Sequence, residues 1–201
     1  MSTKRNYLYI SISILAGVAI NCLLNTLVEQ VFKIPLIFGD TVGTIAVTFS
    51  CGGIPGLICA VLSQTALGIK HSYFSPIAYF YMLAVWGAVG VVWGFKKPLE
   101  KSKTVYSKIV ILVLISILMA FVVSILGGII NTINTIYSVH HNLSPDASVQ
   151  TQSMQADMVR MGFTQLPANI LGRLPGNMIE RPVTTFLAYG ISILTKRVFK
   201  V

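Results

Sequence analysis

The densest chemistry in this sequence lies late in the chain, in Leu174-Pro175-Gly176-Asn177-Met178-Ile179-Glu180-Arg181-Pro182-Val183-Thr184-Thr185. On a helix, Asn177, Glu180, Arg181 and Thr184 share one face. Lipid cannot solvate such groups, so a charged face within an apolar segment turns to the bundle interior or to water. Asn169 and Arg173 lie just upstream. Two arginines against one glutamate leave positive charge over, which favours a ligand carrying a carboxylate or another electron-rich group. A plainer role is equally open: Glu180 pairs with Arg181 or Arg173 and holds the last helix in place.

Other polar sets sit in apolar surroundings. Asp40, Thr41 and Thr44 belong to Gly39-Asp40-Thr41-Val42-Gly43-Thr44. Asp40 suits a helix N-cap and the threonines suit local backbone bonding. Alternatively, all three face a cavity opening outward. Asn131 and Asn134, three apart with Tyr137 beyond, either bond between helices or line the same pocket. The first apolar segment carries Asn21, Asn25 and Glu29 at four-residue spacing. Its other half carries Ser13 and Gly17, a small-xxx-small pair that admits either a neighbouring helix or a partner subunit. Tyr73, Phe74, Tyr79, Phe80 and Tyr81 read as an interfacial aromatic belt. Met154, Met158, Met161 and Phe163 read as an amphipathic segment lying over a cavity.

No nucleophile–base pair emerges, so no catalytic residue is expected. Neither GxxxxGK nor GxGxxG occurs, which excludes nucleotide binding of those kinds. His140-His141 have no carboxylate neighbour, and Cys22, Cys51 and Cys59 fit no zinc spacing. The expectation is no metal and no cofactor, with the cysteines as small buried hydrophobes. The net charge of +9 falls in short clusters between apolar segments, without the aromatic interleaving of a base-stacking surface, so no nucleic-acid partner is expected.

These groups must be positioned by membrane helices. The chain is 54% hydrophobic and 10% charged, against about 25% charged for a typical soluble domain. A helical span needs about 20 apolar residues. The sequence predicts six spans, near 7–32, 40–50, 54–70, 75–95, 105–137 and 177–196, with a polar outer loop at 138–165. The turn Cys51-Gly52-Gly53-Ile54-Pro55-Gly56 separates the second and third, unless the two form one kinked span. The basic pair Lys4-Arg5 precedes an apolar stretch too long for a signal peptide, so that stretch reads as a retained span. Six spans with both ends cytoplasmic put Lys4, Arg5, Lys96, Lys97, Lys101, Lys103, Lys108, Lys196, Arg197 and Lys200 inside. Only Lys33, Lys70 and Arg160 then fall outside, in keeping with the positive-inside rule. The predicted fold is thus an all-α, single-domain bundle of six transmembrane helices in a cell membrane.

Six helices in a chain of this length, with no nucleotide motif, resemble the substrate-binding S components of energy-coupling factor transporters. Phe38-Gly39-Asp40-Thr41-Val42-Gly43-Thr44 and the glycine-rich turn after it are similar to the second-to-third helix region of that family. Leu174-Pro175-Gly176-Asn177-Met178-Ile179-Glu180-Arg181-Pro182 and the residues through Tyr189 look like the start of its last helix. The resemblance implies a vitamin or other micronutrient bound at the outer side. It also implies a transmembrane coupling subunit and two cytoplasmic ATPases that use the ATP. Ser13 and Gly17 stand near the place where the family's first helix meets its coupling subunit. The substrate-binding residues expected are Asp40, Thr41, Thr44, Asn131, Asn134, Asn169, Arg173, Asn177, Glu180 and Arg181. The alternatives are a membrane sensor that signals through a partner, and a standalone secondary carrier.

Overall fold

The computed structural model describes residues 3–28, 39–70, 76–140 and 149–199. All regular structure among them is helical: α1 (Thr3–Thr26), α2 (Val42–Cys51), α3 (Gly53–Lys70), α4 (Pro76–Lys101), α5 (Val105–His140), α6 (Val149–Arg160) and α7 (Gln165–Phe199). Glu29, Lys33, Phe38, His71, Tyr73, Phe74 and His141 lie outside the described residues.

Three of these helices are long and apolar enough to cross a membrane, over Asn6–Thr26, Tyr79–Lys101 and Val105–Tyr137. They also leave large apolar side chains uncovered, among them Leu15, Trp93, Ile117 and Ile125. A helix that is apolar on its uncovered side belongs against lipid rather than water. The chain has the make-up of a membrane protein.

The short helix α2 is the centre of the bundle. Every residue from Val42 to Phe49 is buried. Ten residues rise about 15 Å, half of a hydrocarbon core of about 30 Å. Val42, Ile45, Ala46 and Phe49 join Ala88, Val92, Ile115 and Met119 in one core shared by α2, α4 and α5. Gly52, at φ 106°, separates α2 from α3, so the region is two helices and not one kinked span. Only glycine enters that backbone region readily.

Close packing explains the small residues of α1. A Cβ on Gly43 would overlap the Gly17 carbonyl oxygen, and one on Gly17 would lie 2.7 Å from the Val47 side chain. Ser13 is buried as well. The small-xxx-small pair therefore meets this chain's own helices, at the crossing of α1 with α2 and α3. Asn21 secures that crossing. It donates to Thr44 Oγ1 (2.9 Å) and Ser63 Oγ (2.8 Å) and accepts from the Gly43 amide (2.6 Å).

Several elements run longer than the sequence predicts. α4 continues through Pro98 to Lys101, because Leu99 is buried in the core and Glu100 pairs with Lys196 at 3.3 Å. α7 begins at Gln165 rather than near 177, and runs through Pro175 and Pro182. An interior proline forfeits one backbone bond and costs about 3 kcal/mol in a helix. Here Ala168, Asn169 and Gly172 are buried before Pro175, and packing against α5 holds the first turns. Gly128 is a point of closest approach, where a Cβ would meet the Ile170 backbone at 2.9 Å. The expected outer loop contains α6, whose Gln155 backbone lies against Gly172.

The two ends of the bundle differ in character. Tyr9 of α1 and Phe199 of α7 touch edge to face, with ring centres 5.1 Å apart. Near them are the Lys196–Glu100 pair and Lys96, whose ammonium donates to the Ser50 carbonyl at 3.3 Å. Lysines thus collect at this end, which is called the basic end below.

Candidate functional site

Polar side chains gather toward the opposite end. Along α7, Asn169, Arg173, Asn177 and Arg181 recur every four residues, and so form one stripe on the helix. From Lys196, Arg181 lies about 22 Å and Arg173 about 34 Å up the helix at 1.5 Å per residue. The stripe turns inward, toward α2, α4 and α5.

The lower tier is a closed ion pair. Arg181 Nη2 meets Glu180 Oε2 at 3.1 Å, and the two side chains are 7% and 1% exposed. The remaining guanidinium nitrogens are also engaged: Nε donates to Asn177 Oδ1 (3.2 Å) and Nη1 to Thr41 Oγ1 (2.9 Å). Glu180 accepts from the Gly39 amide at 3.3 Å, and Asn177 donates to Ser124 Oγ at 2.9 Å. The bonds to Thr41, the Gly39 amide and Ser124 cross between elements, so the network pins α7 to the N-terminal end of α2 and to α5. The placement also suits the α2 dipole. Lys96 stands near its negative end, worth about 0.3–1 kcal/mol, while at its positive end the charges of Glu180 and Arg181 offset each other.

The upper tier has a different balance. Arg173 Nη2 donates to Asn131 Oδ1 at 2.8 Å and reaches the Tyr81 hydroxyl at 3.4 Å. The Tyr81 hydroxyl also bonds Asn131, and the guanidinium carbon lies 5.2 Å from the centre of the Tyr81 ring. No carboxylate among the described residues pairs with Arg173. Nearby, Asn169 donates to Thr132 Oγ1 at 2.8 Å and accepts from Gln165 at 3.4 Å. Asn134 is buried three residues beyond Asn131. Between the end of α5 and the start of α7 opens a groove of about 430 Å³, lined by Thr135, Ile136, His140 and Gln165. Small-molecule pockets typically hold about 300–1,000 Å³.

Compared with protein-family models, with curated proteins and with solved structures, the chain matches none. The site must therefore be read from its own geometry.

Thr41, Asn131, Asn169, Arg173, Asn177, Glu180 and Arg181 lie along one polar region, as three hydrogen-bonded groups stacked on the α7 stripe. Thr44 does not join them. Its hydroxyl accepts from Asn21 and contacts Cys59 Sγ at 3.7 Å, on the side of α2 that faces α1 and α3. Asp40 is half-buried in the turn before α2. The N-cap of that helix is Thr41, one residue later than Asp40, and it makes no side-chain cap bond. Tyr81, Ser124, Thr132 and Gln165 belong to the region but were not singled out for it by sequence. By sequence alone Tyr81 reads as part of the aromatic belt. The signal for the stripe was present in the four-residue spacing from 169 to 181, but Pro175 interrupts it and argues against one continuous helix. Among the described residues no cluster of three metal-ligating side chains occurs.

Proposed function

We propose that this chain is the substrate-capture subunit of an importer whose energy comes from partner ATPases. One observation carries the reading. Polar side chains from the N-cap of α2 and from α4, α5 and α7 converge toward the end of the bundle away from the lysines. Polar groups at membrane depth are costly and mark ligand pathways. In this reading the basic end is cytoplasmic. The polar region then opens outward, beneath the groove between α5 and α7. Six helices cross or enter the membrane: α1, α2, α3, α4, α5 and α7. α6 lies outside, near the mouth.

The energy source in this reading is external to the chain. With neither nucleotide loop present, ATP would be used by two cytoplasmic ATPases acting through a transmembrane coupling subunit. The ligand would be a vitamin-like micronutrient, as the resemblance to S components implies.

The test is mass spectrometry of the detergent-purified chain after exposure to a metabolite extract. One small molecule retained per chain is the expected result. A chain that retains nothing, or that carries its ligand across liposome membranes unaided, contradicts the proposal.

A further inference from the structure

We infer that Arg173 is the anion-binding group of this site, and that the ligand presents a carboxylate or similar oxyanion to it. The inference rests on the capture reading above and adds the chemistry of the ligand. Both arginines of the stripe looked equivalent in sequence, and the structure separates them. Arg181 has an acceptor for each guanidinium nitrogen and a carboxylate at 3.1 Å. Its charge is already matched by Glu180. Arg173 has neutral partners only, Asn131 and Tyr81. Its Nε is buried without any acceptor. Its Nη1 lies beside Gly127, 3.1 Å from where a side chain at that position would begin.

A buried donor on a permanently charged group is a standing penalty unless something fills it. The guanidinium fork matches the two oxygens of a carboxylate. Gly127 lets the guanidinium itself lie close against α5, where a larger residue would crowd it. Asn131 and Tyr81 hold the guanidinium plane in place, so little order is lost when an anion arrives. In this inference the rest of the ligand extends toward the groove between α5 and α7. The groove of about 430 Å³ includes Thr135, one turn from Asn131 along α5, and Gln165, which bonds Asn169.

The test uses the purified full-length chain in detergent, with benzoate and acetate as probes. Benzamide and acetamide serve as uncharged counterparts at equal ionic strength. The carboxylates should raise the melting temperature saturably, by about 5–10 °C at a hundredfold excess over the dissociation constant. The amides should not. Arg173→Met should abolish the response while melting no lower than the parent protein without anion. Arg173→Lys should keep a weakened response. Arg181→Met should melt lower, and should keep the response where it still folds. An equal response to the amides, a response that survives Arg173→Met, or Arg173→Met melting as low as Arg181→Met would overturn the inference. The measurement needs no partner subunit. A carboxylate response without any associated ATPase would leave the anion site standing and remove the capture-subunit reading alone.

Discussion

Arg181 and Glu180 are neighbours in sequence, yet what they hold together is distant. Through Thr41 and the Gly39 amide they tie α7 to the entry of α2. Removing one member of such a buried pair strands the other charge, at about 3–5 kcal/mol. Arg181→Met should therefore lower stability by about that amount in detergent unfolding, and Glu180→Gln by a similar amount. The double change should cost less than the sum, since no charge is then stranded. Asn21 works in the same way without charge. Asn21→Ala removes the partner of the Gly43 amide and two hydroxyls. It should destabilise by about 1–3 kcal/mol, also read from unfolding. Residue types and spacing made the Asn177–Arg181 face legible in advance. They could not tell which arginine pairs with Glu180, because that depends on how α2 and α4 approach α7.

At the scale of elements, glycine sets the spacing between helices. Gly17 and Gly43 let α1 and α2 touch backbone to backbone. Gly43→Ala should separate them at a cost of about 1–3 kcal/mol or more, seen as a lower melting temperature and a lower yield of monodisperse protein. Apolar run lengths announced α1, α3, α4 and α5, and the glycine-rich turn announced the break at Gly52. The start of α7 was less legible. Pro175 and Pro182 argue locally for a shorter helix, and only the packing of Asn169 and Gly172 against α5 and α6 outweighs them. α6 was legible only in part, through the amphipathic spacing of Met154 and Met158. Its composition is that of a polar loop, and its contact with Gly172 becomes visible only in three dimensions.

For the whole molecule, the contrast between a lysine-rich end and a polar end implies an orientation in the membrane. Single cysteines placed at Lys97 or Lys103, in a chain freed of Cys22, Cys51 and Cys59, should react with an impermeant thiol reagent only from the cytoplasmic side. Cysteines at Met161 or Phe163, both exposed, should react only from outside. Charge clusters are the sequence feature behind this expected orientation. The convergence of four helices on one polar region was not readable, because it arises from the burial of α2. The central claim is that this bundle captures a ligand and draws its energy from other subunits. Affinity purification of the tagged chain from its own cells, with identification of everything retained, tests that most directly. The account predicts one membrane coupling protein and a pair of ATPases in fixed proportion to the chain. Recovery of the chain alone, together with ligand uptake into liposomes that contain nothing else, would contradict it.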